Sequence, residues 1–168
     1  MDKSFAGIFE DLQDRVFRYA IRMLGNEEDA SDVVQDVGEK LLRMVNDLEK
    51  IDNTGAYALT IARNLCMDRI RHEQIKTRKL AFLSNENNTV DKGINVYESK
   101  DMGGLIRQLI DQLPEKQKTT IHLRDVEGYE FEEIAIIMKT DIKAVRMNLS
   151  RARKFIKEKL IKLNNYGI

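Results

Sequence analysis

The stretch YEFEEIAIIMKTDIKAVRMNLSRARKFIKEKLIKL, residues 129–163, decides the fold of the C-terminal part of this chain. Its first part carries apolar residues at the i, i+3, i+4 and i+7 spacing of one helix face, namely Phe131, Ile134, Ala135 and Met138. A longer apolar stripe follows at steps of three or four residues: Ile142, Val145, Leu149, Ala152, Ile156, Leu160 and Leu163. Asp141 precedes that stripe, where its carboxylate can accept hydrogen bonds from the free amides of a helix N-terminus. Two helices joined by so short a turn are typical of a helix-turn-helix.

The second of these helices is strongly basic. Residues 139–163 contain nine Lys or Arg and two acidic residues, a net charge of +7. Arginine can hold a phosphate or a guanine edge with two parallel hydrogen bonds, and an α-helix fits the major groove of DNA. The pattern therefore favours a DNA-recognition helix over the alternative, a core-packing helix whose basic side is merely solvated.

The rest of the chain is charged unevenly. Its 168 residues carry no formal net charge, and they suffice for one domain or two small ones. Residues 1–53 sum to −6, whereas residues 54–80 sum to +4. Two basic regions with an acidic region beside them suggest two contacts with DNA and a separate contact with protein.

Two amphipathic helices are predicted in the acidic region, over residues 4–24 and 27–46, with Gly25 and Asn26 between them. The second helix has an acidic face, which includes Asp29, Asp32, Gln35 and Asp36. Acidic residues in a first turn also complement the helix dipole. Capping and solubility therefore explain this face as well as a partner-binding surface does.

A third helix is predicted over residues 56–78. Tyr57, Asn64, Asp68 and Arg71 recur on one of its faces at spacings of seven, four and three. An aromatic ring, an amide and arginines suit unstacked single-stranded bases, by stacking and by hydrogen bonds to base edges. The alternative is a structural tyrosine among ordinary solvated charges. Cys66, the single cysteine, is expected to pack as a small apolar residue.

The predicted fold is all-α, with two small helical domains joined by a flexible linker. The linker is placed at residues 81–99, which are rich in asparagine and show neither helix nor strand periodicity. The domains are residues 1–80 and residues 100–168, and the second contains the helix-turn-helix. Pro114, the only proline, ends one predicted helix of the second domain and begins the next.

Several classes of protein are not supported by the sequence. His72 and His122 are isolated, and no phosphate-binding loop, nucleophile elbow or zinc spacing occurs. We therefore expect no enzyme activity, no cofactor and no metal. The N-terminus lacks the apolar core of a signal peptide, no run approaches a membrane span, and the single cysteine cannot form an internal disulfide. These features predict a cytoplasmic protein that is not inserted in a membrane.

Three stretches, in the same order along the chain, resemble bacterial sigma factors of the extracytoplasmic-function (ECF) group, in the sigma-70 family. EEDASDVVQDVGEKLLR (27–43) resembles the helix that docks on core RNA polymerase. AYALTIARNLCMDRIR (56–71) resembles the helix that melts and reads the −10 element, and residues 113–160 resemble the domain that reads the −35 element. The resemblance covers the chain apart from the linker. Three positions depart from the family pattern: Tyr57 stands where tryptophan is usual, Thr60 stands where a basic residue is frequent, and Lys139 stands where the turn often has glycine.

The resemblance implies a role for each candidate residue. Four would contact core RNA polymerase: Asp29, Asp32, Gln35 and Asp36. Four would contact the −10 element: Tyr57, Asn64, Asp68 and Arg71. Six on the recognition helix would contact the −35 element: Lys143, Arg146, Met147, Ser150, Arg151 and Lys154. An anti-sigma factor is a further partner that the family implies.

The sequence thus predicts an alternative sigma factor that binds core polymerase and directs promoter-specific initiation. One alternative is a helix-turn-helix regulator that binds palindromic operator DNA as a homodimer. Another is a helical adaptor that binds only proteins through its charged faces.

Overall fold

The computed structural model describes residues 5–84 and 101–165, which form helices and no strands, as predicted for an all-α fold of two small domains. The N-terminal domain contains α1 (Phe5–Leu24), α2 (Glu27–Arg43), a 3-10 helix (Val45–Lys50) and α3 (Thr54–Ser84). The C-terminal domain contains α4 (Met102–Asp111), α5 (Glu115–Ile121), one π-helical turn (His122–Val126), α6 (Phe131–Met138) and α7 (Ile142–Asn165).

The apolar faces of α1, α2 and α3 pack against one another to form the core of the N-terminal domain. The large side chains at its centre are fully buried, including Val16, Tyr19, Val33, Val37, Leu41 and Leu59. Burial of each such side chain contributes about 1.5–3 kcal/mol. Cys66 is buried in the same core, where desolvation raises the pKa of its thiol to about 12. The thiol is therefore neutral at physiological pH and packs as a small apolar residue, as expected.

The break between α1 and α2 follows from its two residues. Gly25 adopts a φ of +80°, which a side chain would strain, and its N–H donates to the Ile21 carbonyl at 2.9 Å. Asn26 then caps α2, because its side-chain oxygen accepts from the Asp29 N–H at 2.8 Å. The two residues therefore stop one helix and start the next, as the sequence predicts.

Two helix ends differ from the sequence prediction. α2 ends at Arg43 instead of residue 46, and Val45, expected on its buried stripe, lies in the 3-10 helix and is 39% exposed. α3 continues to Ser84, beyond the predicted end at residue 78 and into the segment predicted as linker. All of residues 71–83 are exposed, so no buried stripe marks this part of the helix. Residues 85–99 of the predicted linker lie outside the described residues.

The C-terminal domain packs α4 and α5 against α7. Asp101 caps α4 by accepting from the Gly104 N–H at 2.6 Å. Pro114 is the N-cap of α5 and not its first helical residue. The core cluster consists of Leu109, Ile110, Leu113, Ile121, Leu149, Ala152 and Ile156. Three of these seven come from α7, which therefore holds the domain together along the stripe that the sequence predicts.

The helix-turn-helix has the predicted order, with α6 and α7 separated by residues 139–141. Asp141 caps α7 by accepting from the Ala144 N–H at 2.7 Å, as predicted. Lys139, at the position where the family often has glycine, has a φ of +51°. It is the only non-glycine residue with a positive φ in the part of the chain that the structure describes. The turn therefore keeps the left-handed conformation that glycine favours and imposes it on a lysine.

We expect Lys139→Gly to raise the free energy of unfolding by up to about 1 kcal/mol. The left-handed conformation costs an L-residue about 1–2 kcal/mol, and the greater freedom of glycine in the unfolded chain offsets part of that gain. Lys139→Val should be destabilising, because branched side chains fit this region worst. Urea denaturation followed by circular dichroism measures both effects.

Thr140→Gly is the matched control, because Thr140 lies in the same turn without a positive φ. There glycine should lower stability by about 0.5–1 kcal/mol through chain entropy alone. An equal loss of stability in the two glycine variants would contradict the assignment of strain to Lys139.

Candidate nucleic-acid interfaces

The six residues predicted to read the −35 element share one face of α7. All are exposed: Lys143, Arg146, Met147, Ser150, Arg151 and Lys154. At 100° per residue they occupy one side of the helix, whereas the buried Val145, Leu149, Ala152 and Ile156 occupy the other. Packing of the apolar side therefore turns the candidate residues outward.

The basic residues of α7 are not equally available to a ligand. The Arg153 guanidinium donates two hydrogen bonds to the Asp125 carboxylate, from Nε at 3.0 Å and from Nη2 at 2.5 Å. The hydrogen bonds with Asp125 raise the pKa of Arg153. Lys154 lies 3.9 Å from Glu158 in an exposed pair of the kind that contributes little. Arg153 is thus a structural link from α7 to the π-helical turn, whereas Lys154 can exchange its partner for phosphate.

Arg146 and Arg151 differ in their surroundings. The Arg146 guanidinium carbon lies 5.2 Å from the centre of the Phe131 ring, within the range of a cation–π contact. Arg151 shows no ion pair, hydrogen bond or ring contact within residues 5–84 and 101–165. Arg146 is therefore held beside the start of α6, and Arg151 projects into solvent.

The four residues predicted to contact the −10 element share one face of α3. Asn64 is exposed, and Asp68 and Arg71 are exposed and lie 3.4 Å apart across one helical turn. Tyr57 is half-buried, and its hydroxyl donates to the Met44 sulfur at 3.2 Å. The tyrosine is thus tied to the end of α2, whereas the other three side chains face solvent.

The four residues predicted to contact core polymerase lie on α2. Asp32 and Gln35 are exposed, and Asp29 and Asp36 are partly exposed. Each aspartate lies near one cation that the sequence analysis did not single out, the Arg69 guanidinium on α3. Its distances to the carboxylate oxygens are 3.1 Å for Asp36, 3.6 Å for Asp29 and 3.9 Å for Asp32.

Arg69 also donates to the backbone carbonyl of Asp29 at 2.8 Å, and its side chain is 28% exposed. It therefore connects the start of α2 to the middle of α3 and partly neutralises the acidic face. The spacing of Asp29, Asp32 and Asp36 signals a shared cation. The sequence, however, does not say which arginine of α3 supplies it, because that depends on how the two helices pack.

Arg69→Ala should loosen α2. Two charge-assisted hydrogen bonds are lost, each worth about 1.5–3 kcal/mol, and three carboxylates lose their shared cation. We expect amide hydrogen exchange within α2 to accelerate at least about tenfold, the factor that corresponds to about 1.4 kcal/mol. Hydrogen exchange followed by mass spectrometry localises the effect to one helix.

Arg71→Ala is the control for this variant. It removes the same group from the same helix but breaks only one exposed pair, with Asp68, worth about 0.2–1 kcal/mol. Similar acceleration in α2 for both variants would show that Arg69 has no special role in holding that helix.

Within residues 5–84 and 101–165, no helix is long and apolar enough to cross a membrane. The same part of the chain brings together no group of three or more His, Cys, Asp or Glu side chains that could hold a metal ion.

Two family models match the chain, one in each domain. Sigma-70 region 2 matches residues 8–75, which contain the α2 and α3 faces, and sigma-70 region 4 matches residues 103–156, which contain the helix-turn-helix. The chain therefore belongs to the sigma-70 family of RNA polymerase sigma factors.

Curated relatives carry the name of the ECF group. The chain is 27% identical over 152 residues to the ECF RNA polymerase sigma factor SigE of Mycolicibacterium smegmatis, covering 89% of this chain and 58% of that protein. It is 25% identical over 169 residues to the ECF RNA polymerase sigma factor SigW of Bacillus subtilis, covering 94% of this chain and 89% of that one. Both matches take in the two domains.

A solved structure has the same fold. The sigma factor RpoE from Bartonella quintana, crystallised in complex with the anti-sigma factor NepR, superposes with a TM-score of 0.73 at 24% identity. The superposition covers 94% of this chain and 97% of that chain.

Proposed function

We propose that this protein is an alternative sigma factor of the ECF group, which binds core RNA polymerase and directs initiation at promoters with its own −35 and −10 elements. The observation that carries the proposal is that α2, α3 and α7 each present a face of polar side chains to solvent, and that each helix lies in a domain matched by the corresponding sigma-70 region. The proposed domains are residues 1–80 and 100–168, with residues 81–99 between them.

The face of α7 is suited to duplex DNA. Lys143, Arg151 and Lys154 would bind phosphates, and Arg146 would reach a base edge from the N-terminal half of the helix. Met147 and Ser150 lie among these cations on the same face and would tune the choice of sequence. Each good bidentate contact with a base contributes about 1–3 kcal/mol of discrimination.

The face of α3 is suited to unstacked bases. The Asn64 amide offers two N–H donors and a carbonyl acceptor to a base edge, and Arg71 offers positive charge to the phosphate backbone. The Tyr57 ring would support a flipped base from its position beside Met44. Binding of extruded bases compensates for the few kcal/mol that unstacking costs, so that melting needs no ATP.

The α2 face is suited to a basic protein surface. Asp29, Asp32, Gln35 and Asp36 would contact core polymerase, with Asp32 the most exposed of the three carboxylates. Acidic residues on this domain also disfavour binding to DNA away from core, since they repel phosphates. The free protein would thus need polymerase to reach a promoter.

Regulation by an anti-sigma factor is part of the proposal. The structural neighbour from Bartonella quintana was crystallised with such a partner, and the same exposed faces would offer a binding surface here. We place the protein in the cytoplasm, where core polymerase and promoter DNA are found, and assign it a regulatory and not a catalytic role.

Run-off transcription tests the proposal directly. Purified core RNA polymerase is assayed with and without this protein on a genomic promoter library. New start sites that share two spaced upstream elements are the expected result. Tight binding of the protein alone to a palindromic duplex, without any gain in initiation, would instead indicate a helix-turn-helix regulator.

Arg146→Ala and Arg151→Ala should each abolish most promoter-specific transcription and leave core binding intact. Loss of one base or phosphate contact of about 1–3 kcal/mol corresponds to about a five- to 150-fold drop in promoter affinity. Run-off transcription and a pull-down of core polymerase measure the two activities separately.

Lys162→Ala removes the same charge eleven residues, or about 16 Å, beyond Arg151 on α7 and should leave transcription near the wild-type level. Asp32→Arg should lose core binding and, because initiation depends on polymerase, promoter-specific transcription with it. Unchanged promoter affinity in both arginine variants would overturn the assignment of the α7 face to the −35 element.

A further inference from the structure

Phe131 lies where α6 begins, between the core of its domain and the face of α7. The side chain is half-buried and packs against the cluster formed by α4, α5 and α7. Its ring also contacts two arginines. The guanidinium carbons of Arg124 and Arg146 lie 4.7 Å and 5.2 Å from the ring centre. An aliphatic residue would fill the apolar site equally well but would offer no negative ring face to a cation.

The two arginines use the ring differently. Arg124 is already fixed, because it donates to the Tyr129 carbonyl at 2.7 Å and pairs with Glu130 at 3.0 Å. Arg146 has the Phe131 ring as the only contact that the structure gives its guanidinium within the described parts of the chain. The ring therefore determines where the Arg146 head group is held before a ligand arrives.

We propose that Phe131 is a positioning residue for −35 recognition, because its ring holds the Arg146 guanidinium on the DNA-facing side of α7. A free arginine side chain loses rotamer freedom when it binds, whereas one that is held on a ring has already lost part of it. The guanidinium carbon lies over the ring face, and a guanidinium that stacks on a ring keeps its in-plane N–H groups available to a base or a phosphate. This inference rests on the proposed function of the α7 face.

Arg151 provides the comparison within the same helix. It projects from the same face but lacks any such contact among the described residues. Replacement of Phe131 should therefore alter the contribution of Arg146 to −35 recognition and leave the contribution of Arg151 unchanged. This distinction separates positioning of one arginine from a general loosening of the helix-turn-helix, which would affect both.

A double-mutant cycle tests the proposal. Holoenzyme assembled from core polymerase and each variant is titrated with a duplex promoter fragment mapped by run-off transcription, and with the same fragment carrying a scrambled −35 element. The ratio of the two affinities is the readout. Phe131→Leu should lower this ratio about two- to fivefold, the factor expected for one exposed cation–π contact. Phe131→Tyr, which retains the ring, should keep the wild-type ratio.

The cycle distinguishes positioning of Arg146 by the Phe131 ring from a general loosening of the helix-turn-helix. In an Arg146→Ala background, Phe131→Leu should have no further effect, whereas in an Arg151→Ala background its full effect should remain. Equal effects of Phe131→Leu in the two backgrounds, or an equal loss with Phe131→Tyr, would overturn the positioning role. Thermal unfolding of each variant distinguishes a damaged domain from a displaced arginine.

If wild-type holoenzyme selects no promoter, the proposed function fails and this inference fails with it. If it does, only the role of Phe131 is at stake.

Discussion

The burial of one side of α7 is the constraint on which the rest of the C-terminal domain depends. Leu149, Ala152 and Ile156 complete the core cluster with α4 and α5, so rotation of the helix about its axis would expose apolar surface on one side and bury cations on the other. The direction of the exposed face is thereby set by the buried side of the helix. The Asp141 cap fixes where that face begins along the chain, because it sets the first turn of the helix.

Charge is arranged so that basic and acidic faces stand on different helices. The α2 face would repel DNA phosphates and the α7 face would attract them, although the chain as a whole carries no formal net charge. Arg69 moderates this pattern on the acidic side. It holds Asp29 and Asp36 close together, and it places part of the negative charge of α2 against α3. The carboxylate left farthest from that cation is Asp32, which is also the most exposed of the three.

Much of the fold follows from local sequence, and the remainder depends on packing. The stripe of α7, the Asp141 cap and the stop at Gly25 are set by residues within a few positions of one another, and all are present as predicted. The exposed end of α3 is different, because a helix without a buried side leaves no periodic pattern to read. The ion pair of Arg69 with Asp36 and the ring contact of Arg146 with Phe131 join residues 33 and 15 positions apart on different helices. Such contacts depend on the angle at which two helices meet, which no single-sequence pattern records.

Counting basic residues on α7 therefore overstates what is available to DNA. Arg153 is held by two hydrogen bonds to Asp125, and moving it to a phosphate would leave that carboxylate without its main partner. Arg151 is the opposite case, a cation without a partner among the described residues. The whole entropy cost of ordering its side chain would therefore be subtracted from the free energy of binding. Arg146 lies between these extremes, since its ring contact is compatible with free N–H groups. Three arginines on one helix thus differ in how firmly each is held in the free protein, and we expect that difference, more than the net charge of the segment, to decide which of them discriminates between promoters.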